Sequence, residues 1–218
     1  MSLKVNEIFY SIQGESSYAG LPCVFVRLTG CNLRCSFCDT RYAYYEGRKL
    51  ELDEIFNRIG YYRCPLVEVT GGEPLIQEET PLLIKILLKE GYQTLVETNG
   101  SQDISIIDER CAKIIDIKCP SSGENKKNDF ENFKRISNRD EIKFVIGDRE
   151  DYEYAKNILE LMPIEISGRN LIHFSPVTGK MDYKMLAGWI LEDHLTVRLH
   201  LQLHKIIWAD EQRGVQQP

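Results

Sequence analysis

The 218-residue chain has no uninterrupted run of about 18 apolar residues, the length a membrane-crossing helix needs. Its opening, MSLK followed by VNEIFYSI, is too short and too polar for the apolar centre of a secretory signal, so a cytoplasmic location is expected. A surplus of positive charge is also missing. The 27 Lys and Arg stand against 33 Asp and Glu, a formal net charge of -6. A nonspecific nucleic-acid binder neutralises phosphates with a basic surface, so this balance argues against that class. No repeat, low-complexity tract or charged tail stands out. What remains is 43% hydrophobic and 28% charged, as in an ordinary globular protein, and long enough for one domain over residues 1–218.

Strand-like runs alternate with helical periodicity. Strands are expected at 23–28, 66–70, 93–98, 113–118, 141–146, 170–174 and 194–199. Helices are expected at 51–60, where Leu52, Ile55, Phe56 and Ile59 share a face, and at 78–91, ending on Gly91. Two more are expected at 129–137 and at 148–162, the latter opening with acids. The alternation implies parallel strands and right-handed crossovers. The fold class is therefore α/β, a partial (β/α) barrel of about six units, short of the closed eight-stranded form. In such folds chemistry gathers at the C-terminal ends of strands. The motifs TGC, TGGEP, ETNG, DIKCPSSG and FSPVTG all fall there, which points to one shared site.

Seven cysteines is an odd count, and in a reducing compartment a cluster suggests metal or redox chemistry before disulfides. Cys31, Cys35 and Cys38 form C-x3-C-x2-C with no close fourth thiol. Chance gives about 0.01 such patterns in a chain of this composition. Three readings compete. Zinc wants a fourth ligand, which Cys23 or a distant His would have to supply. Buried, inert cysteines are a second reading. The third is an iron–sulfur cluster whose three thiolates bind three irons and leave the fourth open.

C-x3-C-x2-C after the first barrel strand, with TGGEP at 70–74, resembles the radical S-adenosylmethionine (SAM) superfamily. That likeness implies a [4Fe-4S] cluster on Cys31, Cys35 and Cys38, with SAM on the open iron. Reductive cleavage of SAM then gives a 5′-deoxyadenosyl radical that abstracts hydrogen from substrate. Taken alone, TGGEP also reads as a turn. The segments FYSIQGES, GLPCVFVRLTGCNLRCSFCDT, TGGEPLIQ, VETNGS, DIKCPSSG, KFVI, FSPV and LQLHKIIW run in order from residue 6 to 208. Together they resemble the 7-carboxy-7-deazaguanine synthase family. This implies a lyase that contracts 6-carboxy-5,6,7,8-tetrahydropterin to 7-carboxy-7-deazaguanine plus ammonia, in the queuosine and 7-deazapurine pathway, with Mg²⁺.

The likeness also implies roles residue by residue. Thr40 would ligate Mg²⁺, where a neutral hydroxyl suits a metal that keeps its waters; otherwise it is a loop hydroxyl on backbone. Ile12, Gln13, Gly14, Arg27, Thr70 and Pro218 would contact the pterin, the Arg27 fork taking a carboxylate. Because positions 26 and 28 are apolar, Arg27 points away from them; its ordinary reading is an exposed strand arginine. Phe37, Cys38, Asp39, Gly72, Glu73, Glu97, Asp116, Lys118 and the run Phe174, Ser175, Pro176 and Val177 would contact SAM. Phe37 stands where the family often has Trp, and the tail RGVQQP runs past the expected end. The family implies a reduced donor such as flavodoxin or ferredoxin, and a homodimer, with no nucleic-acid or membrane partner.

Other residues read as structure. His200 and His204 are spaced i, i+4 in an apolar context without a third ligand, and are expected in the core or an interface. Cys23, Cys64 and Cys111 are expected to pack, and Cys119 flanks a site loop. Two further functions share some marks: a glycyl-radical activase, which should lack IQGE with CDT, and a zinc-stapled accessory protein of RNA modification.

Overall fold

The computed structural model describes residues 1–163 and 171–208. Its strands are β1 (Ser2–Ile12), β2 (Pro22–Leu28), β3 (Arg48–Glu51), β4 (Leu66–Gly71), β5 (Gln93–Thr98), β6 (Ala112–Ile117), β7 (Glu141–Ile146), β8 (Leu171–Pro176) and β9 (Arg198–Leu199). The helices are α1 (Leu52–Tyr61), α2 (Thr80–Lys89), α3 (Arg149–Leu161), α4 (Tyr183–Glu192) and α5 (Leu203–Ile207). The strands form one sheet in the order β3-β1-β2-β4-β5-β6-β7-β8-β9. β1 is antiparallel to β2 and β3, and every pairing from β2 to β9 is parallel. Among the described residues no pairing joins β3 to β9, so the α/β barrel is open, as the count of units implied. No described helix is long and apolar enough to cross a membrane.

The helices cover the outer face of the sheet. α1 buries Leu52, Ile55 and Ile59 along one stripe and carries Asp53 and Glu54 in its first turn, where they complement the helix dipole. α3 starts at Asp148, whose carboxylate accepts from the Asp151 amide. Strand residues alternate between two environments. Val67 and Val69 are buried in the hydrophobic core, while Glu68 and Thr70 line the barrel interior.

Three local expectations change. Segment 129–137 forms a 3-10 turn over Phe130–Lys134, not a helix. The Asp129 carboxylate caps the Glu131 amide, and buried Asn132 donates to the carbonyls of Gly100 and Gln102 while accepting from the Ile104 amide. Those side chain–backbone bonds hold the backbone in the turn and tie two loops together. The strand expected over 194–199 shrinks to β9, because His194 adopts φ 52° at the end of α4. β1, β3, α4 and α5 lie where no element was expected; a register shift between Val5 and Glu7 breaks the alternation of β1. Residue 170 of the expected strand lies outside the described residues.

Candidate active site

The interior opens at the C-terminal ends of the parallel strands into a cavity of about 930 Å³. The cysteine loop between β2 and β3 forms one wall, and Cys31, Cys35 and Cys38 all line it. None is in a disulfide, and all three are half-buried. Burial raises the Cys31 thiol and pushes Cys35 up to about 11. The Leu33 amide nevertheless donates to the Cys31 sulfur at 3.4 Å. Among the described residues, no three His, Cys, Asp or Glu side chains crowd one point as ligands of a single ion must. Three free thiols on one loop are a donor set for three irons of a cluster, whereas zinc wants a fourth ligand.

The glycines of TGGEP serve that loop. A Cβ on Gly72 would stand 2.2 Å from the Gly30 carbonyl oxygen and 2.7 Å from Cys31 Cβ. The Glu73 amide donates to the same carbonyl at 2.8 Å. Glycine here therefore lets backbone approach backbone, clamping the two loops. The Glu73 side chain is fully buried outside the cavity lining. Its carboxylate accepts from the Leu75 amide (3.0 Å), the Thr98 hydroxyl (2.8 Å) and the Asn99 amide (2.6 Å). Burial raises it to about 7, with these donors opposing the rise.

Opposite the cysteines the strands present a charged floor. Lys143 on β7 is nearly fully buried and bridges three acids: Glu15 at 2.6 Å, Glu97 in closer contact, and Asp116 at 3.5 Å. Burial opposes its charge, but those acids hold its pKa well above the usual lysine value. Despite its own burial, Glu15 is held ionised by Lys143, with help from His204. Glu68 differs. Burial, with Glu97 and Glu15 nearby, raises its pKa well above the carboxylate range, and Gln13 Nε2 donates to it. Asp116 Oδ2 meets Lys118 at 2.9 Å, while its Oδ1 is buried without a partner among the described residues.

Arg27 is held on edge. Its Nε donates to Glu7 Oε1 at 2.8 Å, the Tyr42 hydroxyl donates to the same oxygen at 2.9 Å, and its guanidinium lies 5.7 Å and 5.9 Å from the Phe9 and Tyr42 ring centroids. Both Nη groups lack a partner among the described residues, leaving a forked donor pair at the cavity. The Thr40 hydroxyl donates to Asp39 Oδ1 at 2.9 Å, so its lone pairs are what it offers a cation. Asp39 is itself paired with Lys205.

Of the expected residues, Ile12, Gln13, Arg27, Cys31, Cys35, Phe37, Cys38, Asp39, Thr40, Thr70, Gly72, Glu97, Asp116, Lys118 and Val177 line this one cavity. Gly14, Glu73, Phe174, Ser175 and Pro176 do not. Phe174 points to the outer core, 5.5 Å and 5.9 Å from the rings of Phe144 and Tyr152, because strand alternation turns it away from the barrel. Ser175 is fully buried. A Cβ on Gly14 would meet His204 Nδ1 at 2.3 Å. Pro218 lies outside the described residues. His204 corrects its expectation by lining the cavity, whereas His200 packs edge-on to His173 at 5.0 Å. Glu15, Glu68, Lys143 and Gln202 also enter the lining unannounced. Glu68 and Lys143 had a legible signal, a charge inside an apolar strand run, LVEVT and EIKFVI. Cys23, Cys64, Cys111 and Cys119 are buried.

The Radical SAM superfamily matches residues 25–162. Relatives named 7-carboxy-7-deazaguanine synthase from Koribacter versatilis and Chlorobaculum tepidum are 44% and 46% identical to the chain. Each match takes in 98% of this chain, and 100% and 97% of the relative. The crystal structure of QueE from Escherichia coli superposes with a TM-score of 0.77 over 93% of this chain and 94% of that one; at 21% identity this shows the shared fold. Streptococcus suis SuiB bound to S-adenosylmethionine gives 0.53 over 79% and 48%, at 17% identity. The chain belongs to the radical SAM superfamily and, within it, to the 7-carboxy-7-deazaguanine synthase family.

Proposed function

We propose that the chain converts 6-carboxy-5,6,7,8-tetrahydropterin to 7-carboxy-7-deazaguanine and ammonia. The observation that carries this is one cavity joining three free thiols to an open Arg27 fork and a charged floor, in a chain of that family. Cys31, Cys35 and Cys38 would hold the [4Fe-4S] cluster. When bound, the cluster supplies one-electron cleavage of SAM and so hydrogen-atom abstraction from substrate. The residues bind, orient and charge the site. The free Arg27 amino groups suit the substrate carboxylate in a bidentate pair. Asp116 Oδ1, buried and without a partner among the described residues, is an acceptor open to a hydroxyl or ammonium. Thr40 would hold Mg²⁺ with one neutral oxygen, leaving the other positions to substrate and water.

Gln13 reads substrate only through what its Glu68 contact leaves free, and Gly72 acts on SAM through the cysteine loop. The backbone of Phe174 to Pro176 would meet SAM, and Pro218, outside the described residues, would be the remaining substrate contact. A homodimer fits the exposed Tyr183, Met185 and Leu191 of α4 beside Leu199 on the open β9 edge. The chain would work in the cytoplasm with a reduced protein donor. The test is anaerobic reconstitution with iron and sulfide, then addition of reductant, SAM, Mg²⁺ and the pterin. Mass spectrometry should find the pterin less ammonia, dependent on SAM. SAM cleavage with an intact pterin would reject this substrate.

A further inference from the structure

Asn99 follows β5, is buried, and lines the cavity beside the cysteine loop. Its backbone amide is anchored on Glu73, at 2.6 Å, which leaves the side chain for another task. That side chain belongs to a closed ring of hydrogen bonds with Ser101 and with Asn32, the neighbour of Cys31. Asn32 Nδ2 donates to Ser101 Oγ at 2.8 Å, Ser101 Oγ donates to Asn99 Oδ1 at 2.6 Å, and Asn99 Nδ2 donates to Asn32 Oδ1 at 3.0 Å. The Ser101 amide also donates to Asn99 Oδ1, at 3.0 Å. A backbone N–H can only donate, so the atom that faces it is the carbonyl oxygen, and this settles which way the Asn99 amide is turned. Nδ2 carries two hydrogens. One goes to Asn32, and the other meets Cys31 Sγ, with nitrogen and sulfur 3.8 Å apart.

We infer that Asn99 is a positioning residue that sets the reduction potential of the cluster through the Cys31 sulfur. The inference rests on the cluster reading of Cys31, Cys35 and Cys38. An N–H aimed at a ligand sulfur stabilises negative charge there, and reduction adds one negative charge that the thiolates share. The donor therefore favours the reduced form and raises the potential. The ring serves this contact in two ways. Each of its bonds polarises the next, which strengthens the N–H at the sulfur, and together they hold the amide in one orientation. Asn32 supplies the contrast, because among the described residues its side-chain amide bonds only within the ring and not to a sulfur.

The test is a redox titration of the cluster-loaded full chain with dithionite, without SAM or substrate, followed by electron paramagnetic resonance of the reduced cluster. Asn99→Ala should be reduced about tenfold less favourably than the parent, a fall of about 59 mV for one electron, with iron content unchanged. Asn32→Ala opens the ring but keeps the donor, and its potential should stay near that of the parent. Asn99→Asp keeps the size of the side chain and the acceptor for Ser101 while replacing the N–H by a carboxylate oxygen. Its potential should fall at least as far, and it carries the comparison where Asn99→Ala takes up less iron. Equal potentials in the parent and the Asn99 variants would overturn the inference. So would an equal fall in Asn32→Ala, which would make the ring a scaffold and nothing more. A parent that binds no iron refutes the cluster reading itself, and the iron assay separates that result from equal potentials in loaded proteins.

Discussion

Lys143 is the residue on which the site's electrostatics turn. It is a buried ammonium facing Glu15, Glu97 and Asp116. Lys143→Met would leave these acids facing one another in a low-dielectric interior. Breaking a buried charge group this way costs roughly 3–5 kcal/mol, which a denaturant titration would read as a lowered midpoint with an unchanged slope. Glu73 gives a pH signature. Its folded-state pKa is raised from 4.5 to about 7, so the native chain holds this proton to higher pH than the unfolded chain. The stability it contributes is complete below about pH 4.5 and is lost as pH rises through about 7, up to about 3 kcal/mol. Denaturation at pH 5 and pH 8 should show a larger loss in the parent than in Glu73→Gln; identical losses would mean that the carboxyl is not protonated in the fold. Thr40 separates metal from scaffold. Thr40→Ser should keep a Mg²⁺ response, and Thr40→Ala should lose it with iron content unchanged. A matching loss of iron would make Thr40 a structural residue.

Among elements, the loops at the strand ends carry the chemistry, and their mutual grip is what a small residue permits. Gly72→Ala forces a Cβ against the Gly30 carbonyl and Cys31 Cβ, both fixed backbone-near atoms. The cost should be about 1–3 kcal/mol or more, and because the strain falls on the cysteine loop, iron uptake should fall with it. Normal iron uptake with normal melting would show that the two loops can separate. The parallel strands from β2 to β8 were legible because each is a short apolar run with charge at its end, and α1, α2 and α3 because their apolar residues recur at helical spacing. The turn at Phe130–Lys134 was not, since its conformation depends on Asn132 reaching carbonyls some thirty positions away. β1 hid behind its register shift. At the site, the thiols and glycines announced themselves by spacing. Glu15 and His204 did not, because nothing local tells that residues so far apart in sequence share a cavity wall.

For the whole molecule, the open barrel leaves one seam, and the loop after β1 meets the start of α5 across part of it. Gln202 donates to Glu15 at 2.6 Å, and the Leu203 amide to the Gly14 carbonyl at 3.0 Å. The pocket wall thus combines the loop after the first strand with one of the last helices. Contacts of such sequence separation form late in folding, since closing the intervening loop costs entropy first. During synthesis the cysteine loop is finished long before α5 exists, so the site stays open on one side until translation has passed α5. A polypeptide abandoned by the ribosome before that point would carry the thiols but lack the wall opposite them. Stitching residues 14 and 15 to residues 202 and 203 in this way makes the closed cavity wall a sign that translation has passed α5.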